Sequence, residues 1–149
     1  MTNSMWLAAE GDCESDGGHL LVPETAEENA YLATVAAGTN EGFTWVGASD
    51  HLREGTFLAV DGRGVAPFSH WPGDLEPNNF DRREDCVQVD YAGYWNDCAC
   101  DYFLAYVCEC DFVLPATPSY CDTFATTSCG ECSTPCATGT TCQSDQVCR

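Results

Sequence analysis

Residues 76–86 read EPNNFDRREDC, and residues 95–97 read WND. Between them the two stretches carry amides, carboxylates and a cysteine, with little apolar surface to bury. Such a run is either a solvated loop or a set of oxygens gathered around something. From about residue 62 to residue 85 no helical or strand periodicity is legible, only Gly, Pro, Asn, Asp and Trp punctuation. A patternless stretch that long inside a compact domain requires something to order it.

The chain has 149 residues, enough for one domain with a real core and a small appendage. Its formal net charge is −19, from 24 acidic residues against five arginines and no lysine. Nothing here could neutralise a run of phosphates, so nucleic acid and anionic membrane surfaces are excluded as partners. The acidity serves solubility, and the acids outnumber what one or two cation sites need. Twelve cysteines, an even number, point to a disulfide framework and an oxidising compartment. The first residues lack a basic leader region, and no apolar run approaches a membrane span. The expectation is a secreted, extracellular chain with its export signal missing and no membrane insertion.

Composition divides the chain into residues 1–110, a globular unit; 111–120, a proline-bearing linker; and 121–149, a Cys-rich tail. The tail has too little apolar bulk for a core of its own. Its six cysteines are expected to pair among themselves, with zinc the rival reading of Cys129 and Cys132. Within the globular unit, residues 4–10 predict a short helix closed by Gly11. Thr25-Ala26-Glu27-Glu28 is a capping box opening a helix to about Ala37, with Gly38 as its stop. Residues 43–47, 55–60, 86–89 and 104–110 are the strand candidates.

Taken together, these residues resemble a C-type lectin domain over roughly residues 4–110. Four segments carry the resemblance: Cys13-x4-Gly18-x-Leu20 with Pro23 and Glu28-Asn29; Trp45-Val46-Gly47; Glu76-Pro77-Asn78; and Glu84-Asp85-Cys86 followed by Trp95-Asn96-Asp97 and Val107-Cys108-Glu109. The implied fold is α+β: two helices flanking small antiparallel sheets with a long calcium-binding loop, here followed by the disulfide-rich tail.

The resemblance implies a principal calcium and sugar site made of Glu76, Asn78, Glu84, Asn96 and Asp97. All five offer hard oxygen, three of them anionic, with no sulfur or imidazole in the set. Calcium takes six to eight such oxygens in irregular geometry, whereas magnesium prefers fewer protein ligands and a strict octahedron. In the family the Glu-Pro bond is cis, so a cis Glu76-Pro77 bond is implied. Two vicinal hydroxyls of a sugar complete the calcium shell there. The Glu-Pro-Asn order goes with mannose, fucose, N-acetylglucosamine and glucose, and Gln-Pro-Asp with galactose. An auxiliary calcium site is implied at Asp50, Glu54, Asn79, Glu84 and Asp85, with Asn79 neutral where some members carry Asp. Implied disulfides are Cys13–Cys108 and Cys86–Cys100, and arithmetic leaves Cys98 for Cys110, with a link from Cys110 into the tail as its competitor.

One departure is visible. Members usually carry a strand before the first helix, and only residues 1–3 precede Ser4 here. Either the chain is clipped or a later segment, such as residues 111–114, fills the place; the second is the expectation.

Phe80 is either a platform for the apolar face of a sugar or a loop anchor. Arg82 and Arg83 read as a solvated pair that could touch an anionic glycan. Trp45, Trp71 and Trp95 read as core or loop support. An enzyme reading has little to stand on. Ser49-Asp50-His51 lacks a nucleophile elbow, and neighbours in sequence seldom converge as a triad. His19, His51 and His70 make no metal spacing. The rival to carbohydrate binding is the same scaffold recognising a protein, lipid or ice. Weak affinity at a shallow monosaccharide site would call for oligomers or clustered glycans.

Overall fold

A computed structural model describes residues 3–65 and 68–110. The linker at 111–120, the tail at 121–149 and residues 111–114 lie outside them. The element order is β1 (Asn3–Ser4), α1 (Trp6–Ser15), β2 (His19–Leu20), α2 (Ala26–Ala37), β3 (Phe43–Ser49), β4 (Leu58–Ala59), a 3-10 turn (Phe80–Arg82), β5 (Cys86–Asp90), β6 (Trp95–Cys98), β7 (Leu104–Ala105) and β8 (Cys108–Glu109). A six-stranded sheet runs β1-β7-β3-β5-β6 with β4 on β3, and β2 pairs with β8 in a second, two-stranded sheet.

The first helix departs from expectation at both ends. It starts at Trp6 and continues through Gly11 to Ser15. A side chain at Gly11 would meet open space, so the residue sits on an exposed face where glycine costs only about 1 kcal/mol. Burial of Trp6, Ala9, Glu10 and Cys13 holds that length, because all four lie on one helical stripe. The stop is Gly17, whose φ of 86° lets Gly18 N–H return to the Cys13 carbonyl at 3.0 Å. The second helix follows its sequence signals. The Thr25 hydroxyl accepts from Glu28 N–H at 3.2 Å while the Glu28 carboxylate accepts from Thr25 N–H, and Gly38 caps the other end.

The place before the first helix is filled by strand β1. Asn3 and Ser4 pair antiparallel with Ala105 and Leu104. This corrects the expectation that a later segment fills that place, and the Trp45 indole N–H, donating to the Ser4 carbonyl at 2.8 Å, fixes the pairing. The candidate at 104–110 splits into β7 and β8, which join different sheets. The candidate at 55–60 shrinks to β4, and β6 went unread because Trp95-Asn96-Asp97 looks like a loop by composition.

The main sheet is buried on both faces. On one face Trp45, Cys86 and Cys98 join Trp6, Ala9, Cys13, Leu20 and Leu104. On the other Val46, Ala48, Val87, Val89 and Trp95 join Leu21 and Leu32. Each large side chain removed from water contributes about 1.5–3 kcal/mol, so these two clusters carry the fold. Cys13–Cys108 closes a separation of 95 residues and Cys86–Cys100 one of 14. On chain-entropy grounds loops of these sizes stabilise by roughly 3–5 kcal/mol each.

The Cys98–Cys110 pairing is corrected. Cys98 is a free, buried thiol, and Cys110 is disulfide-bonded elsewhere. Cys98 lies in β6 directly across from Cys86, whose sulfur is already bonded to Cys100, and burial pushes the Cys98 thiol well up.

Candidate functional site

The described residues between 68 and 85 rest on an aromatic bed. Trp71 lies against Phe57 at 5.1 Å and edge-on to Trp95 at 5.5 Å, and Phe68 meets Trp95 at 6.3 Å between ring centroids. The Trp95 N–H donates to the His70 carbonyl at 2.9 Å, and its indole N–H donates to Asn29 Oδ1 at 2.7 Å. Asn29 Nδ2 in turn donates to the Gly93 carbonyl at 2.8 Å. Helix α2 is thereby tied to the hairpin that presents Asn96 and Asp97. Asn29 belongs to the Glu28-Asn29 motif, but this role is not legible there; the available signal was an amide in the first turns of a helix capped by Thr25 and Glu28.

Five side chains of the candidate principal site come from two segments. The Glu76-Pro77 bond is cis. Asp97, 1% exposed, accepts from the backbone N–H groups of Asn78 at 3.0 Å and Asn79 at 2.8 Å. Asn78 Nδ2 donates to Glu76 Oε2 at 2.6 Å. Glu84 Oε2 accepts from Phe80 N–H at 2.7 Å, and Asn79 Oδ1 accepts from Glu84 N–H at 3.3 Å. The Asn96 amide donates to the Asp97 carbonyl. The loop and strand β6 therefore form one unit through Asp97.

Charge accumulates in this unit. Burial first, then the facing carboxyl of Asp97 and the charge of Glu84, push the Glu76 carboxyl up to about 7. Glu84 is raised as well, by burial and by Asp97 and Asp81, against the opposing Phe80 N–H. Among the described residues no three His, Cys, Asp or Glu side chains stand at the separations of a formed metal shell. Their oxygens are instead turned onto nearby amides and N–H groups. The donor set nonetheless fits a hard cation: all oxygen, with mutually repelling carboxyls that a positive charge would relieve.

The second acidic group is built around Asp50, which is 2% exposed. Its Oδ2 accepts from Gly55 N–H at 2.7 Å, while its Oδ1 is buried without a hydrogen-bond partner. Burial chiefly raises this carboxyl, the Gly55 bond opposes, and Glu54 and Asp85 raise it further. Asp50 N–H donates to the Asp85 carbonyl at 3.0 Å, joining the turn to the residues before β5. An unpartnered buried carboxylate oxygen beside two more acids is a costly arrangement that a cation satisfies.

Phe80 is 68% exposed at the tip of the loop. Ser49 Oγ and His51 Nδ1 are 2.7 Å apart, but Asp50 turns away to Gly55 and Ser49 is only 7% exposed, so the trio is not a triad. Trp45 and Trp95 are core, and Trp71 supports the loop.

The comparisons with known proteins agree with this architecture. A family model described as "Lectin C-type domain" matches residues 2–110. The chain belongs to the C-type lectin family. Its lectin domain is 37% identical over 103 residues to Collectin-11 of Danio rerio, covering 69% of this chain and 38% of that one. The chain thus spans about two fifths of that relative's length. Among solved structures, it is similar to a mouse scavenger receptor C-type lectin carbohydrate-recognition domain, with a TM-score of 0.65 and 25% identity, covering 77% of this chain and 87% of that one. It is also similar to the cow C-type carbohydrate-recognition domain of CD23, solved in the presence of a GlcNAc2Man3 oligosaccharide, with a TM-score of 0.62, 32% identity, and coverage of 72% and 80%. The α+β lectin fold, with two helices, small sheets and disulfides, is therefore that of this chain. Among the described residues no helix is long and apolar enough to cross a membrane.

Proposed function

We propose that the lectin domain binds carbohydrate in a calcium-dependent way, with a mannose-type preference, and that it is not an enzyme. Glu76, Asn78, Glu84, Asn96 and Asp97 would hold the principal ion. Asp50, Glu54, Asn79, Glu84 and Asp85 would hold an auxiliary one that orders the loop. The bound ion supplies a Lewis-acidic centre able to accept two adjacent sugar hydroxyls. The protein's own part is to offer a carboxylate acceptor and an amide donor to those same hydroxyls. The observation that carries this reading is the union of the two segments: Asn78 N–H on Asp97 at 3.0 Å and the Asn78 amide on Glu76 at 2.6 Å. Burial and neighbouring acids raise the carboxyls of Glu76 and Glu84, an arrangement that a bound cation would relieve. Phe80, exposed beside them, gives the apolar face of a sugar ring a surface to rest on. The relatives' carbohydrate-recognition domains and the disulfides support the same reading, and with it a secreted location.

The test is a glycan array probed with calcium and with a chelator. Binding that mannose competes and the chelator abolishes supports the proposal. Chelator-sensitive binding to a protein that free sugar cannot displace would move the function to the non-sugar alternative. No uptake of calcium at neutral pH by calorimetry would leave only the scaffold.

A further inference from the structure

We infer that Arg82, with Phe80, extends the sugar site into a subsite for an anionic group, so that the preferred ligand is a glycan bearing a sulfate, phosphate or carboxylate. The inference rests on the carbohydrate reading above and names the ligand class for that site. The loop tip is tied to the candidate ligands at both ends. Arg82 N–H donates to the Asn79 carbonyl at 2.9 Å, and Phe80 N–H donates to Glu84 at 2.7 Å. Asn79, Asp81 and Arg82 hold φ values of 45°, 56° and 58°, left-handed conformations that shape the loop tip. Non-glycine residues enter that region at a cost of about 1–3 kcal/mol each, and such outliers gather at binding sites.

Two other arginines of this acidic chain are engaged with acids. Arg63 is paired with Glu24 and Asp61, and Arg83 stands 3.8 Å from Asp101. Arg82 is exposed and makes no ion pair among the described residues. A guanidinium offers a rigid fork of donors matched to two oxygens of a sulfate, phosphate or carboxylate. Phe80, exposed in the same 3-10 turn, suits a sugar's carbon face. The net charge of −19 repels acidic glycans at long range, but screening confines that effect to about 8 Å at physiological ionic strength. At contact distance the local balance decides. There Glu84 is engaged with Phe80 N–H, and Asp81 is the exposed acid that opposes Arg82.

The test measures calcium-dependent affinity for matched pairs: mannose and mannose 6-phosphate, N-acetylglucosamine and its 6-sulfate, glucose and glucuronic acid. At least one anionic member should bind roughly three- to tenfold tighter than its neutral partner, with the advantage shrinking in high salt. Which pair shows it identifies the anion. Arg82→Ala should bring the ratio close to one, and Arg82→Lys should keep part of it. Calcium titration of each variant shows that it is folded. Arg53→Ala, which removes the same charge from the neighbouring turn, should leave the ratio standing. Equal affinities within every pair, or a preference that survives Arg82→Ala or falls equally with Arg53→Ala, overturns the inference while the carbohydrate reading stands. Absence of calcium-dependent binding to every sugar overturns both.

Discussion

Asp97 binds Asn79 across an 18-residue gap, its carboxylate accepting the Asn79 backbone N–H at 2.8 Å while its other oxygen takes Asn78 N–H at 3.0 Å. This contact joins a loop of little apolar content to a strand buried in the core. It makes one carboxylate answerable for loop order before any ion arrives. Asp97→Asn keeps one acceptor oxygen and replaces the other with a donor facing a donor. The calcium-free variant should lose roughly 1–3 kcal/mol in urea unfolding and gain little on calcium addition. Unchanged stability in chelator would contradict the contact's role.

Calcium uptake should depend on pH through Glu76. Its folded carboxyl is raised to about 7, so the calcium-free fold holds that proton more tightly than the unfolded chain does. The associated stability is fully present below the ordinary carboxylate range and is lost as pH rises through about 7. Calcium requires the ionised form, so its affinity should fall roughly tenfold per pH unit below 7, more steeply as the raised Glu84 also protonates. Calorimetry between pH 8 and pH 5 reads this directly, and a flat profile would refute it.

Ligand choice should follow the order of acceptor and donor at residues 76 and 78. Asn78 Nδ2 donates to Glu76 Oε2 at 2.6 Å, so the pair is one polar unit with a fixed sense. Glu76→Gln with Asn78→Asp inverts that sense. Competition assays should then shift from mannose towards galactose by about tenfold or more, with calcium still required. A double variant that keeps mannose preference would remove these residues from the specificity argument.

Gly47 is a packing constraint in β3. A Cβ there would meet the Leu20 carbonyl oxygen at 2.3 Å and Val22 Cγ2 at 2.9 Å, against backbone already tied by Gly47 N–H to Leu21 at 2.9 Å. Gly47→Ala should cost about 1–3 kcal/mol or more in thermal or urea unfolding. Wild-type stability in that variant would show that the 20–22 segment can yield.

Glu10 is buried in the first helix and accepts Leu20 N–H at 2.8 Å. Burial raises its carboxyl above the ordinary value, so its stabilising contribution is full at low pH and is lost as pH rises through the raised value. Glu10→Gln keeps the acceptor without the charge and should match or exceed wild-type stability at neutral pH. Glu10→Ala strands the Leu20 N–H and should lose about 1–3 kcal/mol. Reversal of that order in unfolding experiments would discard the account.

Much of the architecture was legible residue by residue. The box at Thr25 and Glu28 and the glycine at 38 bounded α2 because caps act through the nearest few residues. Trp45-Val46 announced β3 because a strand buried on both faces reads as a continuous apolar run. Gly11 misled, since a glycine ends a helix only where the fold needs a reversal, and the buried stripe through Cys13 outweighed it. β1 and β6 were missed because two-residue pairing and a polar strand carry no periodicity. The pairing of Cys98 with Cys110 failed because counting thiols ignores where each sulfur is buried.

By itself the sequence determined the oxygen-rich donor inventory, the capped second helix, the apolar strands and the motif order that resembles this family, since each depends on residue type and short spacing. Only the tertiary structure decided that Asp97 clamps Asn78 and Asn79, that Asp50 buries an unpartnered oxygen, and that Arg82 stands exposed at a left-handed loop tip. Those features arise when distant segments are pressed together, and the energy of a buried charge or an unpaired oxygen exists only once its surroundings do.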